Sequence, residues 1–70
     1  MNHLGEKVRQ LRRQRGMTLR EAAALLAVHY THLQKIETSQ KRPSSDLILR
    51  LATLFGVTAD QLMRDDVDLG

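Results

Sequence analysis

Apolar side chains return every three to four positions along most of the chain, and nowhere alternate with polar ones long enough to build a strand. Leu4, Val8, Leu11 and Arg15 share one face, which predicts an amphipathic helix over 3–15. Gly16 follows and suits the left-handed residue that closes a helix. Thr18-Leu19-Arg20-Glu21 has the spacing of a capping box and predicts a second helix over 18–26, with Ala22, Ala23 and Leu26 facing inward. Two alanines on that face let another helix approach closely. After the short link Ala27-Val28-His29, a third helix over 30–37 puts Leu33, Ile36 and Glu37 on one side. Tyr30, Thr31, Gln34, Lys35 and Thr38 take the other side. Ser44 or Ser45 caps a fourth helix over 45–55, Asp46 complements its dipole, and Leu47, Ile48, Leu51, Leu54 and Phe55 line its inner face. Gly56 ends it, and Thr58 caps a short fifth helix over 58–63 with Leu62 inward. The reading is one all-α domain over 1–63, followed by an acidic tail over 64–70 that is expected to be mobile.

Seventy residues are enough for one domain, which buries only about 60% of its unfolded surface. The chain has no cysteine, so disulfides, thiolate metal sites and thiol catalysis are excluded, and a reducing, cytoplasmic location is expected. Its longest apolar run, residues 22–28, is far shorter than the roughly 18 residues of a membrane span. The first residues lack the apolar stretch of a secretory signal, so the chain reads as whole, soluble and intracellular, or as a fragment of something longer. The net charge of +3 conceals an asymmetry. Residues 1–42 hold nine Lys and Arg against three acids, whereas residues 43–70 hold two against five. Such a division fits a polyanionic partner on one side, or two solvated faces.

Two helices with a short link, the second having a polar, acid-free outer face, have the form of a helix-turn-helix. In that motif the second helix enters the major groove and offers its N-terminal side chains to base edges. The sequence resembles the Cro and phage-repressor type of helix-turn-helix, the xenobiotic-response-element family of regulators. The resemblance runs through residues 4–12, Arg15-Gly16-Met17-Thr18, Ala23, Val28, Leu33-Gln34-Lys35-Ile36-Glu37, Arg42-Pro43-Ser44, Leu51-Ala52 and Phe55-Gly56-Val57. It implies a lambda-repressor-like five-helix domain that binds operator DNA and regulates transcription, more often as a repressor.

The resemblance also implies roles. Tyr30, Thr31 and Lys35 stand where relatives read bases: Lys35 donates to guanine, and Thr31 meets a thymine methyl, a base or a phosphate. Gln34, Thr38, Lys41 and Arg42 stand at phosphate positions, with Arg20 and His32 beside them. Arg12 and Glu37 match a partly buried ion pair between the first helix and the recognition helix. Val57, Ala59 and Met63 are the candidate dimer contact, and a two-fold dimer would match a palindromic operator. The chain departs from the family pattern at four places. Leu19 replaces a phosphate-binding Gln, and His29 replaces the hydroxyl cap of the recognition helix. Ala27 stands for the turn glycine, on the expectation that a small residue suffices, and Ser39 replaces a further glycine.

Other chemistry finds little support. His29 and His32 are spaced like two metal ligands, but no cysteine or carboxylate stands beside them, so neither metal nor cofactor is expected. Ser44, Ser45 and Asp46 precede an apolar helix and read as caps rather than a catalytic cluster, so no enzyme is expected. Leu25 and Leu49 point away from the inner faces, as single exposed leucines commonly do. The competing function is a protein-interaction module, an antitoxin or adaptor that keeps the fold without using DNA. Leu19 favours that reading, while the acid-free face and the Lys41-Arg42 loop favour DNA.

Overall fold

Five helices follow one another in the computed structural model, which describes residues 3–64: α1 (Leu4–Gln14), α2 (Leu19–Leu26), α3 (Tyr30–Glu37), α4 (Ser45–Phe55) and α5 (Ala59–Met63). Each lies within a residue of its predicted span. The expected acidic tail, apart from Arg64, lies outside the described residues.

The helix starts follow from local side-chain chemistry. The Thr18 hydroxyl accepts from the Glu21 amide at 3.1 Å, and the Glu21 carboxylate accepts from the Thr18 amide at 2.9 Å. Thr58 and Gln61 repeat that arrangement at α5, and Ser44 accepts from the Leu47 amide at α4. The ends of α1 to α4 share one geometry. Gly16, Ala27, Ser39 and Gly56 all adopt positive φ, between 59° and 65°. The next amide in each case reaches back five residues: Met17 to Arg12, Val28 to Ala23, Gln40 to Lys35 and Val57 to Ala52. This is the Schellman closure, in which the residue after the left-handed one tends to pack on the helix it ends. Met17, Val28 and Val57 are accordingly half-buried against the core. Ala27 therefore does more than keep the turn small. It occupies left-handed backbone that glycine adopts without strain, which corrects the expectation that size alone mattered there.

The core draws on every helix. Leu26, Leu33, Ile36, Leu51, Phe55 and Leu62 are essentially fully buried, each contributing about 1.5–3 kcal/mol relative to an exposed position. Ala22 and Ala23 are buried where α2 meets α3 and α4. Ala52 joins the core unforeseen, while Leu54 is only half-buried and shares a surface groove with the exposed Leu25 and Leu49.

Two contacts of α1 position the rest. A Cβ added at Gly5 would come 2.5 Å from the Ile36 carbonyl oxygen and 2.6 Å from that of Glu37, so α1 and the end of α3 meet backbone to backbone. Lys7 is buried, and its ammonium donates to the Gln61 carbonyl at 2.7 Å and to the Arg64 carbonyl. Those oxygens end α5, where a cation also complements the helix dipole. Arg15 similarly donates to the Phe55 carbonyl, with its guanidinium over the Phe55 ring, and Arg50 donates to the Leu26 carbonyl. Two of the nine cations in the first half, Lys7 and Arg15, thus bind helix-end carbonyls of the chain itself.

Candidate nucleic-acid interface

The recognition helix is fixed from behind by Leu33, Ile36 and Glu37, all buried. Arg12 holds Glu37 through two hydrogen bonds, Nε to Oε2 at 2.8 Å and Nη2 to Oε1 at 3.1 Å. Its third nitrogen donates to the Met17 carbonyl at 2.9 Å, which ties the loop before α2 to the same point. One guanidinium therefore sets the relative positions of α1, α2 and the end of α3.

On the outer side, Thr31, Gln34, Lys35 and Thr38 are exposed, and no acid stands among them. Tyr30 is different from its expected place on that face. It is half-buried and packs against the core, its ring stacked on His29 at 4.7 Å and covered by the Arg20 guanidinium at 4.0 Å. Arg20, a candidate phosphate contact, is thereby held beside the start of α3. His32 is half-buried one turn into the helix.

His29 caps α3: its Nδ1 accepts from the Thr31 amide at 3.2 Å and lies 2.8 Å from the Thr31 hydroxyl. The Thr38 hydroxyl donates back to the Gln34 carbonyl at 3.0 Å, a bond that a phosphate contact from Thr38 would have to break. Gln34 and Thr38 border a groove with Arg9, Arg12, Leu19 and Glu37. Arg9 belongs with the phosphate candidates, a residue the linear pattern did not single out. Its spacing of three from Arg12 was the available signal. Leu19, half-buried, forms the apolar wall of that groove. Lys41 and Arg42 are exposed around a second hollow formed with Leu4, Gly5, Ile36, Ser39 and Pro43, so the basic loop flanks the far end of α3.

In α5, Met63 is 48% exposed and Ala59 is half-buried. Val57 is partly committed to its own core. Among the described residues no cluster of three or more metal-ligating side chains occurs, and no helix is long and apolar enough to cross a membrane.

Residues 3–64 match the family model described as a helix-turn-helix domain. The HTH-type transcriptional regulator ImmR of Bacillus subtilis (strain 168) is 32% identical over 63 residues, covering 90% of this chain and 50% of its own. The chain spans about half the length of the curated relatives it matches. Its fold is that of the P22 c2 repressor, solved with a synthetic operator, at a TM-score of 0.87 and 20% identity over 94% of this chain and 100% of the other. The restriction-modification controller protein C.AhdI of Aeromonas hydrophila superposes at a TM-score of 0.80 with 26% identity, over 87% and 92% of the two chains.

Proposed function

The chain belongs to the helix-turn-helix domain family, and from that premise we propose that it binds duplex DNA with α3 in the major groove and regulates transcription. The observation that carries this reading is the outer face of α3, where Thr31, Gln34 and Lys35 are exposed without an acid between them. Thr31 and Lys35 read bases, with Tyr30 contributing at the edge of the helix start. Arg9, Arg20, His32, Gln34, Lys41 and Arg42 surround them as phosphate contacts, with Thr38 at the helix end. Residues 1–63 act as the binding unit. The role is binding rather than catalysis, and its place is the compartment that holds DNA, the cytoplasm of a bacterial cell.

The operator is palindromic and the protein occupies it as a two-fold dimer, joined through Ala59 and Met63 with the exposed edge of Val57. The similarity to an operator-bound repressor supports repression as the outcome.

Selection of bound sequences from a random duplex pool tests the reading. An enriched motif with two inverted halves about 34 Å apart is the expected result. Affinity should fall steeply between about 50 and 200 mM salt, each neutralised phosphate adding about 0.9 to the logarithmic slope. A flat response with no enriched sequence would leave the fold as a protein-interaction module.

A further inference from the structure

The residue that caps α3 is a histidine, and its ring controls the polarity of Thr31, two residues on. The Thr31 backbone amide can only donate, and it points at His29 Nδ1 from 3.2 Å. Nδ1 therefore carries a lone pair, and the ring proton of the neutral imidazole sits on Nε2. The Thr31 hydroxyl lies 2.8 Å from the same nitrogen, so its single proton is drawn to that lone pair as well. What Thr31 then offers outward is two oxygen lone pairs and a methyl group, with no donor.

We propose that His29 is a positioning residue for base recognition, which fixes Thr31 as a hydrogen-bond acceptor and so selects bases that present an amino group. The inference rests on the DNA-binding reading above and deepens it. In the major groove the amino groups belong to adenine N6 and cytosine N4, whereas guanine shows only acceptors and thymine an acceptor and a methyl. Each base pair shows one amino group in the major groove, on one strand. An acceptor at Thr31 thus reads which strand carries adenine or cytosine, and disfavours guanine, thymine O4 and phosphate oxygen as partners.

Near the ring, Tyr30 is stacked on it at 4.7 Å and Arg20 from α2 lies 4.0 Å above the Tyr30 ring, and neither bonds to Nδ1. Control of Thr31 therefore belongs to His29.

Duplex selection with the 70-residue chain and its His29→Ala, His29→Asn and Thr31→Val variants tests this. One position should favour adenine or cytosine by about three- to tenfold, the discrimination of a single hydrogen bond. His29→Ala and Thr31→Val should each lose that preference, and His29→Asn should restore it, because its side-chain oxygen again accepts at the cap. A preference that survives His29→Ala overturns the proposal while leaving DNA binding intact. Absence of any enriched sequence overturns both. The free protein supplies an independent readout: nitrogen-15 NMR should show the neutral His29 ring with its proton on Nε2, and a proton on Nδ1 would refute the assignment.

Discussion

Arg12 and Glu37 meet in a bidentate pair, 2.8 Å at its shorter contact, with side chains only 13% and 5% exposed. A pair so enclosed is costly to break from one side, because the remaining ion is left without water or partner. Glu37→Ala should lower stability by about 3–5 kcal/mol, and Arg12→Ala by a similar amount. The double variant Arg12→Met/Glu37→Leu should lose less than either single change, since no charge is stranded. Urea denaturation of the three proteins decides it. Equal losses for single and double variants would show that packing, not charge, holds this junction.

Gly5 has no room for a methyl group against the carbonyls of Ile36 and Glu37. Gly5→Ala should therefore destabilise by about 1–3 kcal/mol, despite the higher helix propensity of alanine, because backbone cannot yield as a side-chain tip does. Thermal unfolding gives the measure, and an unchanged midpoint would contradict the close approach.

The left-handed Ala27 and Ser39 predict the opposite sign. Relief of about 1–2 kcal/mol of backbone strain at each exceeds the roughly 0.4–1 kcal/mol that glycine adds to the entropy of the unfolded chain. Ala27→Gly and Ser39→Gly should each raise stability, by about 0.5–1 kcal/mol net. Their sites lie at different helix ends, so the two gains should add. A loss in either variant would contradict the strain.

Glu21 predicts an acid limb to stability. Its carboxyl is held below the usual carboxylate range, first by the Thr18 backbone amide and then by the Thr18 hydroxyl. A group with a depressed folded value stabilises above its unfolded value and loses that contribution as pH falls through the folded one. Glu21→Gln keeps the capping geometry but cannot titrate, so its denaturation midpoint should decline less steeply on acidification. Parallel declines for both proteins would remove Glu21 from the account.

Two basic residues should behave differently on DNA. Lys35→Ala should cost about 1–3 kcal/mol on the preferred site and relax one base position. Arg42→Ala should weaken specific and random duplexes alike and lower the salt slope by about 1. Titrations of both variants on both duplexes would expose a wrong assignment if the two behaved the same.

The helices, their caps and their buried faces were legible along the chain because they depend on neighbours three or four residues away. Thr18 and Glu21, Gly16, Gly56 and the leucines of α4 are of this kind. Lys7 was not legible, nor was the reach of Arg15 to Phe55. A lysine in a basic segment looks solvated until the fold brings the end of α5 to it, 54 residues on. Tyr30 was misplaced for a related reason. A helical wheel describes one helix, whereas Arg20 covers that ring from α2.

Sequence alone determined which segments become helices, where each starts and stops, and which side of α3 stays free of acid, since short-range spacing and capping chemistry decide these. Tertiary structure decided which of the many cations bind carbonyls of the chain itself, which glycine is irreplaceable, and that His29 faces the Thr31 hydroxyl. Those outcomes depend on distances of a few ångströms between groups whose approach the linear order leaves open.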